Sequence, residues 1–126
     1  MDANGADFSD AVMDLAAARQ AKLVGANLTS TSAIKMLGAG ADFSAANASK
    51  AIFNGANLSG AIFNGALLTS ASFIGSNLAN ASFHDARLAG ADFSDATGAL
   101  QENFIGACVS EMTRLPAGLV LQSCAE

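Results

Sequence analysis

The chain has 126 residues, which fits a single domain, and it carries a net charge of −5 at pH 7. Its six Lys and Arg residues are scattered, which excludes a direct grip on nucleic-acid phosphates, and no apolar run reaches the roughly 18 residues of a membrane helix. All eight aromatic residues are Phe, and there is no Trp or Tyr. This composition favours a narrow core of small side chains with large ones at intervals.

The start of the chain, MDANGADFSD, is acidic and lacks the basic-then-apolar pattern of a signal peptide. This slightly favours a cytoplasmic protein, unless a targeting segment has been removed before this numbering.

Residues 6–40 contain imperfect copies of a five-residue unit, of which Ala6-Asp7-Phe8 and Ala26-Asn27-Leu28 are the clearest. Residues 11–24 have two interpretations. Asp10 as N-cap and Gly25 as terminator would suit a helix, whereas alanines at every fifth position continue the unit without a slip. The unbroken phase favours the repeat.

The weakest units are TSAIK and MLGAG, residues 31–40. We expect a local bulge there, with Met36 filling space that Gly38 leaves in the core.

From residue 41 to residue 95 the repeat is regular, and the chain divides into fives without a gap. The first position is Ala in ten of the eleven fives, and the third is Phe or Leu in ten. In order, the fives are ADFSA, ANASK, AIFNG, ANLSG, AIFNG, ALLTS, ASFIG, SNLAN, ASFHD, ARLAG and ADFSD.

A period of five suits neither one helix nor one strand, because each would turn successive third positions to different sides. Within a unit, the first and third positions lie two apart and share one face of a short extended segment. The fourth and fifth positions are rich in Ser, Asn, Asp and Gly, which favour turns. Each five is therefore predicted to be one short side and one corner, with its first and third residues inward.

These units resemble the pentapeptide-repeat family, whose pattern is Ala, Asp or Asn, Leu or Phe, and two variable residues. ADFSA (41–45), ANLSG (56–60) and ADFSD (91–95) are near-ideal copies. The resemblance implies an all-β fold, a right-handed four-sided β-helix with four fives per coil and about five coils.

With 20 residues per coil, third positions 20 apart stack in four columns at the strand spacing of about 4.8 Å. Phe and Leu alternate along the chain, so they segregate onto opposite pairs of sides, as four sides require. The predicted core stack is Phe43, Phe53, Leu58, Phe63, Leu68, Phe73, Leu78, Phe83, Leu88 and Phe93.

After Thr97 the frame slips over residues 96–101, and units resume over 102–111 with Phe104 and Val109 inward. Residues 112–126 depart from the pattern and are predicted to cap the open end that a solenoid must cover. An alternative, compatible with a cap, is an apolar edge strand that pairs two chains into a homodimer.

Cys108 and Cys124 allow two interpretations. A disulfide would pin the tail to the last coil and favour an exported or lumenal protein, whereas two free thiols suit a reducing cytosol.

The residues suggest no catalytic chemistry. His84 is the single histidine and is expected at the surface beside Asp85, and the two cysteines lack zinc-site spacing. The glycines recur because corners need them, without a phosphate-binding motif. We therefore expect no enzyme activity, no cofactor and no metal.

Four apolar residues occupy predicted outward positions: Ile52, Ile62, Leu67 and Ile74. Ile52 and Ile74 are expected on one side of adjacent coils, with Leu67 and Ile62 on two others. Single exposed apolar residues are ordinary, whereas a clustered patch marks a partner. The four are candidates for a partner surface.

The leading functional hypothesis is a structural or interaction module that presents flat faces to a protein partner. The resemblance supplies the alternative, since some members mimic duplex DNA and bind DNA gyrase or another type II topoisomerase, protecting it from drugs. The acidic net charge fits that alternative, but the acidic residues fall on different sides.

Overall fold

The computed structural model describes residues 2–124. Its named elements are a 3₁₀ helix, Gln101–Phe104, and two short strands, β1 (Cys108–Val109) and β2 (Gln122–Ser123), which pair in parallel. Met1 and the last two residues of the predicted cap lie outside the described residues.

Most of the chain is held by parallel backbone pairing between residues 20 apart. The paired residues are the second positions of the fives, and one column runs through Asp2, Lys22, Asp42, Ile62 and Ser82. Three more columns starting at Asp7, Val12 and Ala17 complete four sides per coil. The predicted fold, an all-β right-handed four-sided β-helix, is confirmed.

Each short side of a coil is hydrogen-bonded to the preceding coil and to the following coil. The amide of Phe43 donates to the carbonyl of Ile62 at 2.6 Å, and the amide of Asp42 donates to the carbonyl of Ala21 at 2.9 Å. The same two bonds recur along the rod, so the short sides satisfy their backbone groups between coils.

The corners are left-handed turns. Every fifth residue from Gly5 to Asp95 has a φ between +57° and +71°, and the next amide closes the turn, as Ala46 does on the carbonyl of Phe43 at 3.0 Å. Several corners carry non-glycine residues such as Lys50, although a positive φ costs them about 1–2 kcal/mol. The chain therefore bends at a fixed interval, which produces the square coil.

The inward third positions form the core. All ten residues of the predicted stack are at most 1% exposed. Phe43, Phe63, Phe83 and Phe104 stack face to face with centroids 4.6–5.0 Å apart. The opposite column meets them edge-on at 5.4–5.8 Å, and both arrangements are favourable for aromatic rings.

Two hydroxyls replace alanine in first positions without an unsatisfied polar atom. Thr31 donates to the carbonyl of Phe8 at 2.7 Å, and Ser76 donates to the carbonyl of Phe73 at 2.8 Å. The exception at Ser76 in the repeat is thus accommodated by a backbone acceptor.

The N-terminal units follow the same geometry. Val12, Ala17 and Lys22 pair with residues 20 further on, so residues 11–24 belong to the coils of the β-helix and do not form an α-helix.

The bulge expected over residues 31–40 is wrong, because Ser32 and Leu37 both keep the regular register. Met36 is buried, and its Sδ would lie 3.5 Å from a Cβ built on Gly38. The side chains of Leu58, whose Cδ2 would lie 3.0 Å from that Cβ, and of Met36 fill the volume beside Gly38, and the backbone keeps its register.

The register changes at the C-terminal end. Arg87 pairs with Cys108 and Asp92 with Arg114, spacings of 21 and 22 residues, and the 3₁₀ helix lies in the longer segment. Phe104 still enters the stack, and Leu115, Leu119 and Leu121 of the tail are half-buried against the core.

Replacing Phe73 by Ala should destabilise the protein strongly, because its ring contacts four other phenylalanines. We expect the free energy of unfolding to fall by about 3–5 kcal/mol, as measured by urea denaturation followed by circular dichroism. Phe8→Ala is the control: Phe8 is half-buried and outside the ring stack, so its loss should be smaller. Equal losses would contradict a core that depends on the stack.

Gly98→Ala should be much more damaging than Gly65→Ala. Both glycines have a positive φ, but a Cβ on Gly98 would lie 2.7 Å from the backbone of Ala79, whereas nothing lies within 4 Å at Gly65. We expect Gly65→Ala to cost about 1–2 kcal/mol from backbone strain alone. Thermal melts of the two variants compare them, and a Gly98 variant that melts no lower than the Gly65 variant would refute the packing argument.

Candidate functional site

The described residues offer little for catalysis. Within residues 2–124 no group of three or more His, Cys, Asp or Glu side chains could hold a metal ion, and no helix is long and apolar enough to cross a membrane. His84 is half-buried, with Nε2 at 3.3 Å from the carbonyl oxygen of Glu102.

A cavity of about 280 Å³ lies between the 3₁₀ helix and the tail. Its lining includes Phe104, Ile105, Val120 and Leu121, and Glu102 is the only ionisable side chain among the described residues that line it. One carboxyl group by itself does not form an acid–base pair.

The most distinctive surface is one side of the β-helix, which we call the isoleucine face. It consists of the second and fourth positions of five stacked units, which are Val12, Asp14, Ser32, Ile34, Ile52, Asn54, Ser72, Ile74, Asp92 and Ser94. Its four apolar side chains are all exposed and alternate between the two columns from coil to coil. They therefore form a zigzag across four coils, with a polar side chain beside each one.

The polar side chains of this face are bonded within the chain. The Oδ1 atom of Asp14 accepts bonds from Ser32 Oγ at 2.7 Å and from the amide of Ile34 at 2.9 Å. Asn54 repeats this with Ser72 at 2.5 Å and with the amide of Ile74 at 3.1 Å. Because these groups have partners in the fold, the zigzag is the part of the face most available for contact.

Other units bond the fourth-position amide in a different way, which the repeat pattern did not reveal. An Asp or Asn in the second position accepts that amide within its own unit, as Asp7 does from Ser9 and Asp92 from Ser94, both at 2.9 Å. The hydroxyls of Ser9 and Ser94 donate to the same carboxylates and lower the pKa of Asp7 and Asp92. The recurrent Asp and Asn of the motif thus close the turn.

The four candidate partner residues do not form one patch. Ile52 and Ile74 lie on the isoleucine face, with Val12 and Ile34 extending it. Ile62 is half-buried on a second side, and Leu67 is exposed alone on a third. The sequence already carried the signal for the missing pair, since the zigzag residues are spaced alternately 22 and 18 apart.

The two cysteines meet at the C-terminal end. Cys108 and Cys124 form a disulfide between the last coil and the tail. Beside it, the amide of Cys124 donates to the carbonyl of Val109 at 2.9 Å, and Gln101 bonds both backbone groups of Val120. Backbone pairing, the two hydrogen bonds of the Gln101 side-chain amide and the disulfide therefore hold the tail in place.

Charge is segregated along the rod. Residues 2–14 hold four Asp and no basic residue, and residues 85–111 hold five acidic residues and Arg87. Between them, Asp42 is outnumbered by Arg19, Lys22, Lys35 and Lys50. The molecule therefore has acidic ends and a basic stretch over residues 19–50, which we call the basic middle, and residues 51–84 carry no Asp, Glu, Lys or Arg.

Known proteins share this architecture. A family model described as pentapeptide repeats matches the chain in eight copies, over residues 1–32, 39–65 and 66–97. No curated protein sequence matches the chain.

Solved structures are similar over most of the chain. A pentapeptide repeat protein from the Arabidopsis thaliana thylakoid lumen is 30% identical with a TM-score of 0.73, over 75% of this chain and 66% of that one, just under two thirds. Rfr23 from the cyanobacterium Cyanothece 51142 is 21% identical with a TM-score of 0.71, over 91% of this chain and 88% of that one.

Reducing the disulfide should loosen the tail and leave the coils intact. Cys108 and Cys124 are 16 residues apart, and freeing a loop of that size removes about 3 kcal/mol of stabilisation. Hydrogen exchange with and without dithiothreitol should show faster exchange at residues 112–124 only. The Cys108→Ser/Cys124→Ser variant should exchange as fast as the reduced protein, with or without dithiothreitol. A tail that stays protected after reduction would contradict this expectation.

Proposed function

Because this chain belongs to the pentapeptide repeat family, whose members are typically structural or interaction modules, we propose that it is a non-enzymatic module that binds a protein partner through the isoleucine face. The observation that carries the proposal is the zigzag of exposed Val12, Ile34, Ile52 and Ile74 between internally bonded polar groups.

Clustering on one side separates this surface from ordinary exposed apolar residues. Leu67 stands alone on its side, whereas the zigzag continues from one coil to the next for four coils. Contiguous apolar patches on soluble proteins are typical of interaction sites. Burying the zigzag would remove apolar area from water without leaving Asp14 or Asn54 unpaired.

The rigidity of the face also favours binding. Its backbone is bonded to coils above and below, and the isoleucines stand on the same short sides as the buried Phe53 and Phe73. A preorganised surface loses little conformational entropy when a partner docks.

The charge distribution supports this proposal over the DNA-mimic alternative. A mimic of duplex DNA needs a continuous negative surface, and the basic middle of the rod, with Lys22, Lys35 and Lys50, interrupts it. The alternative of a homodimer through the C-terminal segment, residues 112–126, stays a prediction.

The test is affinity capture from the source organism with three baits: the natural chain, Ile52→Asp and Leu67→Asp. Ile52 and Leu67 are both second-position residues with similar exposure, 36% and 41%, on different sides. We expect a partner that the natural chain and the Leu67 variant retain and that the Ile52 variant loses, because a carboxylate would be buried in the contact.

Hydrogen exchange on the reconstituted complex should then show protection at residues 31–35, 51–55 and 71–75. Capture that is equally strong with both variants, or protection on another side, would refute binding through the isoleucine face.

A further inference from the structure

We propose that the isoleucine face pairs with the same face of a second copy of this chain, in an antiparallel arrangement about a two-fold axis at the level of Ile34. This rests on the proposed function insofar as it uses the same face, and it names the partner. The pattern of apolar, polar and charged residues on successive coils indicates that the occupant is a second copy of the chain.

A two-fold axis that lies in the plane of the face and perpendicular to the rod places each column opposite the same column of the second copy. It also reverses the order of the coils. With the axis at the five 31–35, Val12 lies opposite Ile52 of the second copy, and Ile34 lies opposite Ile34. Asp14 then lies opposite Asn54, and Ser32 opposite Ser32. Apolar side chains meet apolar ones, and polar side chains meet polar ones, in each of the three rows that overlap, 11–15, 31–35 and 51–55, and Ile74 lies beyond the overlap.

The parallel arrangement fails the same comparison. An axis along the rod would exchange the two columns at each level, placing Val12 against Asp14 and Ile34 against Ser32. Burying an apolar group against a polar one that loses water is unfavourable. The zigzag therefore selects the antiparallel pair.

Charge at the adjoining corner agrees with this register. The corner that leads onto the face carries Asp10, Ser30 and Lys50 on successive coils, and Asp10 and Lys50 are exposed. The proposed axis places Asp10 of each chain opposite Lys50 of the other, which gives two ion pairs. Such exposed pairs add little affinity, but they favour one register over others.

The opposite corner carries the one unfavourable match. Lys35 lies on the axis and meets Lys35 of the second copy, but its side chain is exposed and Asp14 of the second copy is one coil away. Overlap is centred on three coils, spaced about 4.8 Å apart, so the contact is small and the dimer is weak. It forms at high protein concentration.

The experiment is sedimentation equilibrium with interference optics, needed because the chain has no Trp or Tyr, from micromolar to millimolar concentration. We expect the average mass to rise from monomer towards dimer. Ile52→Asp should lower the association constant by about tenfold or more, because a carboxylate would face Val12. Leu67→Asp, on another side, should leave the constant unchanged.

A charge reversal tests the register. Lys50→Asp alone should weaken association, because Asp10 would then face a second carboxylate. The double variant Asp10→Lys/Lys50→Asp should restore it, since both ion pairs reappear with opposite polarity. Circular dichroism of each variant verifies that the fold is retained.

Several results would overturn the proposal: a monomer at every concentration, a Leu67 variant as impaired as the Ile52 variant, or no restoration in the double variant. A monomeric chain that still captures an Ile52-dependent partner would reject self-pairing while the proposed function stands. A dimer without such a partner would instead limit the face to self-recognition and reject the wider function.

Discussion

Parallel backbone pairing at a spacing of 20 residues determines where the outward side chains of residues 2–97 lie. The pairing holds because each fifth residue from Gly5 to Asp95 adopts a positive φ and turns the chain by one side. Four equal turns close a coil, and the next coil repeats the same bonds. Where one extra residue intervenes, between Arg87 and its partner Cys108, the longer segment absorbs it, and Phe104 still enters the stack.

This spacing also explains how the surface satisfies its own polar groups. A residue on the face has neighbours at 18 and 20 positions along the chain, so Asn54 reaches both Ser72 and the amide of Ile74. Where an Asp or Asn takes the second position, it accepts the fourth-position amide within its own unit instead. When a side chain of the preceding coil accepts the fourth-position amide, as Asn54 does, the second position of that unit does not have to supply the acceptor. The same solution serves Asp14, Ser32 and Ile34, and it accompanies the isoleucine zigzag on that side.

The sequence predicts the inward half of the molecule well, because the core accepts only certain residues at fixed intervals. Ala in first positions and Phe or Leu in third positions reveal the period, the four sides and the stacked rings. The expectation that Met36 fills the space beside Gly38 agrees with the structure, but the bulge expected with it was wrong, because Met36 and Leu58 occupy that space while the backbone keeps its register.

The outward half is harder to predict, because its contacts join residues of different coils. Ile52 and Ile74 were recognisable as one side, but Val12 and Ile34 joined them only once the first coils were known to keep the register. Phe104 was expected inward from the resumed units and is buried, but the 3₁₀ helix Gln101–Phe104 could not be inferred, since it lies where the repeat pattern stops.

The division between inward and outward positions also determines how far likeness to other proteins can inform function. The inward residues specify a coil that is compatible with many outward sequences, because second and fourth positions point into solvent and only their backbone groups enter the pairing. A relative with 21% identity can therefore share the whole architecture while differing at nearly every position a partner would touch. Recognition of a partner by this fold therefore depends on outward residues, such as those of the isoleucine face. There, the regular backbone places four apolar side chains on a rigid lattice, and the symmetry of their order, together with Asp10 and Lys50 at its edge, is a property of this chain's own outward residues.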